Sequence, residues 1–158
     1  MLSTKTGGLS ARRRGYPLHN AQVDEPAQRP VKQVIVIRRD LHMRRGKEIA
    51  QGAHAASAWL AELVLRQITP GQTMDHVQLS EAERAWLQTS FRKVTVKVGS
   101  EEELMAVYGK AQEAGLLAHL ITDRGLTEFG GVPTRTCLAI GPDYDDRIDP
   151  VTGDLELY

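Results

Sequence analysis

Four consecutive β-branched residues, Val34-Ile35-Val36-Ile37, constrain this chain more than any other stretch. Branching at Cβ favours the extended backbone, and an unbroken apolar run has no side to offer to water. The run therefore predicts a strand covered on both faces, which requires a sheet with helices above and below it. It ends in three charged residues, Arg38-Arg39-Asp40, and a basic loop follows, Leu41-His42-Met43-Arg44-Arg45. From Gly46 to Leu65 the apolar residues recur at helical spacing, so a helix opens directly after the loop.

The remaining elements follow from caps and alternation. Ser80 with Glu83 and Ser100 with Glu103 each have the spacing of a capping box, predicting helices through Leu87 and through Ala114, the second ended by Gly115. Strands are predicted over Phe91–Val98, Leu116–Thr122 and Thr134–Ile140, the last closed by Gly141-Pro142. Arg66–Leu79, with Pro70-Gly71, reads as a loop, and Asp143–Tyr158 as a short helical turn with an extended tail. The order β-α-α-β-α-β-β gives an α/β fold, three layers (α/β/α) around a mixed, mostly parallel four-stranded sheet. Only about ten residues join the third and fourth strands, too few for a right-handed crossover, so the last strand is expected to run antiparallel.

Residues 1–31 are rich in Gly, Arg, Ser and Pro and lack an apolar period, so they read as a flexible basic extension ahead of one domain over 32–158. The formal net charge is zero, yet residues 1–48 hold 11 Lys/Arg against 4 Asp/Glu and residues 99–158 hold 4 against 12. That segregation points to a polyanion near the first helix, or equally to a solvated tail and an acidic far face. The single cysteine, Cys137, lies in an apolar run and reads as a small buried hydrophobe; it cannot form an intrachain disulfide. No apolar run approaches a membrane span and no secretory core is legible, so a cytoplasmic location is expected.

On a helical wheel with Lys47 at zero, Gln51 falls at about 40° and His54 at about −20°, while Ile49, Ala53, Ala56 and Leu60 fall between about 180° and 240°. The expectation is a polar stripe opposite the sheet-facing side. Ligands of open α/β sheets gather beyond the carboxyl ends of parallel strands. Asp40, Lys47 and Asp123 all lie just past such ends, so separate segments converge on one rim. Lys47 by itself would read as a solvated surface lysine. Asp123 reads as a carboxylate that pairs with Lys47 and orients water, or as the cap of its own turn. The hydroxyls of Thr127, Thr134 and Thr136 suit phosphate or ribose oxygens, although threonine is also an ordinary strand residue. His54 reads either as a packed histidine or as an acid/base or RNA-contacting group. His42 reads as exposed. No metal-ligand spacing, P-loop, dinucleotide fingerprint or nucleophile elbow is present, so no metal and no cofactor is expected.

The stretch Val34 to Ala55, with its Gly46-Lys47 step and Gln51-x-x-His54, resembles the signature of the type 2 peptidyl-tRNA hydrolases, the archaeal and eukaryotic type with bacterial variants. Val94–Val98 with Ser100-Glu-Glu-Glu-Leu104, Leu120-Ile-Thr-Asp123, Gly125-Leu-Thr127, Thr136–Pro142 and Ile148–Leu155 continue the resemblance in order, over residues 33–157. It implies a mixed four-stranded sheet between helices and hydrolysis of the ester joining a peptide to the 3′ ribose of tRNA. It implies catalytic roles for Lys47, Asp123, Thr127 and Thr136, and substrate contacts from Gln51 and His54. Arg44, Arg45 and His42 are the loop's own candidates for gripping tRNA.

The chain departs from the resemblance at His42, where the family usually has lysine, and at Leu126, where arginine is common. Its 128–134 turn is one residue longer than the archaeal form. The partner expected is peptidyl-tRNA, with no DNA and no membrane; a homodimer is left open. A non-catalytic RNA-binding module on the same fold and an esterase for mischarged aminoacyl-tRNA are the rival readings.

Overall fold

The computed structural model describes residues 29–67, 78–89 and 91–158. Residues 1–28 of the expected N-terminal extension, and most of the expected 66–79 loop, lie outside the described residues. The elements are β1 (Val31–Arg38), α1 (Arg45–Gln67), α2 (Glu81–Gln88), β2 (Lys93–Val98), α3 (Glu101–Glu113), β3 (Ala118–Asp123), β4 (Thr134–Tyr144) and α4 (Asp145–Thr152).

The strands lie in the order β2-β1-β4-β3. β1 pairs parallel with β2 and antiparallel with β4, and β4 pairs antiparallel with β3. Three strands thus point one way, and β4 runs against them, as its short connection requires. The expectation of a mostly parallel sheet holds for direction and fails for neighbours, because β4 inserts between β1 and β3 and leaves β1–β2 as the parallel pair. All eight residues of β1 are buried, the outcome its β-branched run demands.

Side chains alternate across the sheet and feed two cores. Val34, Val36, Leu138 and Ile140 meet Leu104, Val107 and Ala111 of α3 and Ile148 of α4 on one face. Ile35, Ile37, Cys137 and Ala139 meet Ala55 of α1 on the other. Farther along that second face, Val31 packs with Trp59, Ala82 and Trp86, the two indoles crossing edge to face at 5.7 Å. So α1 and α2 cover one face, and α3 and α4 the other.

Ser80 and Glu83 form the full reciprocal box. At α3 the box is half made: Ser100 accepts from the Glu103 N–H, but the Glu103 carboxylate takes the Gly99 N–H at 2.6 Å. β4 runs past Gly141-Pro142, where a strand end was expected, to Tyr144. The tail is extended as expected, Leu157 bridging antiparallel to Val96 of β2.

α1 turns a different side inward from the one its apolar spacing predicts. Gln51, Ala55 and Trp59 are buried, whereas Ile49 is 66% exposed and Leu60 44%. The buried face is rotated by about 130° from the expected one. Two local causes account for it. Ala55 has no bulk, so the helix approaches Cys137 and Ala139 closely, and Gln51 finds polar partners in buried Thr136 of β4 and half-buried Asp123 of β3. The stripe of Lys47, Gln51 and His54 therefore lies on the flank of the sheet-facing side, not opposite to it.

Candidate active site

Three segments meet where β3 ends. Asp123 is the last residue of β3, Lys47 sits in the first turn of α1, and Thr127 lies in the loop after β3. The Lys47 Nζ donates to Asp123 Oδ2 at 2.5 Å and to Thr127 Oγ1 at 3.3 Å. Gln51 Nε2 donates to the same Oδ2 at 2.8 Å, and the Gly125 N–H donates to Oδ1 at 2.8 Å. Asp123 thus does both things its position allowed: it pairs with the lysine and caps its own turn. The Lys47 ammonium, then the Gly125 N–H and the Gln51 amide, hold its carboxyl below the ordinary aspartate range.

Thr136 comes into line through an irregularity in the sheet. Ile121 pairs with Cys137 but Thr122 pairs with Arg135, so Thr136 is an extra residue in β4, a β-bulge. The bulge sends the side chains of both Thr136 and Cys137 towards α1. The Thr136 hydroxyl donates to Gln51 Oε1 at 2.5 Å, and the Cys137 Sγ donates to the Gln51 carbonyl at 3.3 Å. A relay Thr136–Gln51–Asp123–Lys47 results, its first two members buried. Thr136 stands behind Gln51 and does not line the cavity, so its reach to a substrate runs through Gln51. Replacing Gln51 with alanine leaves the buried Thr136 hydroxyl only the long 3.4 Å contact with the Ile121 carbonyl and removes one donor from Asp123. A loss of about 2 kcal/mol in unfolding free energy is expected from urea denaturation.

A cavity of about 660 Å³ opens beside this relay. Lys47, Gln51, His54, Asp123, Leu126 and Thr127 line it near the charged pair, and it continues along α1 to Ala61 and along β3 to Leu120. Its size suits a small organic group. His54 is exposed and faces it, which settles the histidine as a wall residue and not a packed one. Leu126 is 76% exposed at its rim. Nothing in the periodicity marked Ala58 and Ala61 of α1 or Leu120 of β3 as lining, because apolar residues on a helix or strand read as core.

The other candidates lie outside the cavity. Arg44 is largely exposed, its guanidinium donating to Glu128 at 2.7 Å. Arg45 opens α1 in solvent, and His42 is exposed in the loop with a φ of 45°. Cys137 is fully buried as expected, and burial pushes its thiol up to about 11. Among the described residues no His/Cys/Asp/Glu cluster has the form of a metal site, and no helix is long and apolar enough to cross a membrane.

The family model described as peptidyl-tRNA hydrolase PTH2 matches residues 31–158. A curated protein named peptidyl-tRNA hydrolase from Methanocaldococcus jannaschii is 41% identical over 127 residues, covering 80% of this chain and 99% of its own. Proteins of the same name from Methanothermobacter thermautotrophicus and Methanopyrus kandleri are 38% and 40% identical, again across 80% of this chain and 99% and 97% of theirs.

Proposed function

Because the chain belongs to the peptidyl-tRNA hydrolase PTH2 family, we propose that the Lys47–Asp123 cleft is where it hydrolyses the ester between a peptide and the 3′ ribose of tRNA, releasing tRNA for reuse. The observation that carries the site assignment is the 2.5 Å contact of a lysine ammonium with a strand-terminal carboxylate at the mouth of a cavity. Such a pair supplies the two things ester hydrolysis needs, a cation for the growing oxyanion and an acceptor for the proton of water.

In the sequence of events we envisage, a water held by Asp123 attacks the ester carbonyl carbon and its proton passes to the carboxylate. The Lys47 ammonium, steadied by Thr127, turns to the carbonyl oxygen as that oxygen gains charge. Asp123 with three donors is a weak base. Once Lys47 leaves it for the oxyanion, the largest cause of its depressed pKa is gone and the carboxylate strengthens as a base when it is needed. The bond to the 3′ oxygen then breaks, and that oxygen takes the proton from Asp123. Gln51 and Thr136 position Asp123, and Arg44, Arg45 and His42 lie on the side where the tRNA phosphates approach. We infer from this substrate a cytoplasmic enzyme with no contact to DNA.

The test is turnover of N-acetyl-aminoacyl-tRNA beside free aminoacyl-tRNA. Release of tRNA from the blocked ester is expected, with the free aminoacyl ester cleaved far more slowly. Equal rates on both would favour a general aminoacyl esterase. The pH profile follows from Asp123: its folded pKa is lowered, so it stays ionised, and its contribution to stability remains, until pH falls below about 4. The rate is expected to hold level from pH 7 down to about 5; a fall centred near pH 6 would transfer the acid limb to another group.

A further inference from the structure

The cavity extends well beyond the reacting pair, and its two ends differ in chemistry. Lys47 and Arg124 line one end, and Arg45, preceded by Arg44, opens α1. Towards the other end the walls, among the described residues, are Ser57, Ala58 and Ala61 of α1 with Leu120 and Ile121 of β3, which are small or apolar and carry no charge. Beside Ala61, the Glu62 carboxylate is bound to His119 at 2.6 Å and to Arg66, and these partners hold it ionised. A phosphodiester chain requires cations along its path. A peptide requires apolar wall and backbone partners.

The walls also place the backbone of β3 in the groove. Leu120, Ile121, Thr122, Asp123 and Arg124 all line it, although successive strand side chains point to opposite faces. Five consecutive residues can share one groove only if it runs along the edge of the strand. β3 is an edge strand, so among the described residues the edge away from β4 carries main-chain groups without ladder pairing. An extended peptide can pair with such an edge whatever its sequence.

We propose that this α1–β3 groove is the binding site of the substrate's peptidyl arm, which leaves the ester at Lys47–Asp123 and runs along β3 towards Ala61. The proposal rests on the hydrolase reading above and adds where the acyl half of that substrate lies. The strand length that lines the groove, about 13 Å, accommodates about four extended residues. Backbone pairing together with small apolar walls suits an enzyme that must accept any peptide sequence, while the nucleotide half is left to the basic end.

Ala61→Trp is the test, because Ala61 is exposed, lies far along the groove from the charged pair, and would be blocked by an indole. Two substrates are compared, N-acetyl-aminoacyl-tRNA and an N-acetyl-tetrapeptidyl-tRNA, with deacylated tRNA as inhibitor. The one-residue substrate does not reach position 61, so it doubles as the control for folding. In the variant, kcat/KM on the tetrapeptidyl substrate is expected to fall tenfold or more, with the short substrate within twofold of wild type and inhibition by deacylated tRNA unchanged. Equal losses on both substrates would overturn the proposal, and weaker tRNA inhibition alongside them would make the nucleotide end the occupant. No loss on either substrate would also overturn it. Wild-type protein that cleaves neither substrate would bring down the hydrolase reading itself and the groove assignment with it.

Discussion

Lys47→Ala is expected to lower single-turnover cleavage of N-acetyl-aminoacyl-tRNA at least a hundredfold while the circular dichroism spectrum stays that of the folded protein. The magnitude comes from the oxyanion: a donor aimed at developing charge is worth about 3 kcal/mol in the transition state, and each 1.36 kcal/mol is a factor of ten. Folding should survive, because Asp123 keeps the Gly125 and Gln51 donors when the ammonium is removed. Lys47→Arg is expected to rescue little, since a planar guanidinium cannot place one donor where the compact ammonium sits. Asp123→Asn should match the alanine variant in rate, as it removes the proton acceptor and the lysine's anchor together. A Lys47→Ala protein with more than a tenth of wild-type turnover would remove the lysine from the chemistry.

The second large effect belongs to a residue without a side chain. Gly125 has a φ of +79°, and a Cβ there would lie 2.1 Å from the Val132 carbonyl oxygen. The loop after β3 closes around this glycine, whose carbonyl accepts from the Phe129 and Gly131 N–H groups and whose own N–H donates to Asp123. Gly125→Ala must push Val132 away and rotate that N–H off the carboxylate. We expect a stability loss of about 2 kcal/mol or more from backbone strain alone, and a tenfold or greater fall in turnover as Asp123 and Thr127 lose their placement. Gly130→Ala is the internal control. Its φ is +60° but no atom lies within 4 Å of the added Cβ, so strain remains and the collision is absent. If both variants behave alike in denaturation midpoint and rate, the close approach to Val132 is not what holds the loop.

What the sequence made legible was local. The β-branched run of β1, the serine caps and the reversal of β4 each follow from a few neighbouring residues. The Lys47–Asp123 encounter was legible for a related reason: β1 and β3 point the same way, so the segments beyond their carboxyl ends gather on one rim. The order of strands was not legible, because insertion of β4 between β1 and β3 depends on pairings that no local pattern encodes. The face of α1 was misread for a definite reason. Ile49 and Leu60 carry the stronger apolar signal, but burial went to Gln51, whose amide is satisfied by Thr136 and Asp123, residues more than 70 positions away. The bulge at Thr136 is equally silent in the sequence, since Cys137 to Ile140 are apolar and buried on both faces and leave no alternation whose break could be read. The misread face and the unread bulge both fall on the relay beneath the cavity, where side chains serve positioning ahead of packing.

The lone thiol beneath α1 gives the molecule a clock of its own. Cys137 faces the helix backbone at Gln51, so an alkylating reagent reaches it only during moments when α1 lifts away from β4. Its labelling rate, set against that of a free cysteine, reads out the opening free energy of the very layer on which the relay is built. A tightly held analogue of the acylated tRNA terminus should slow that clock, with no engineered label required.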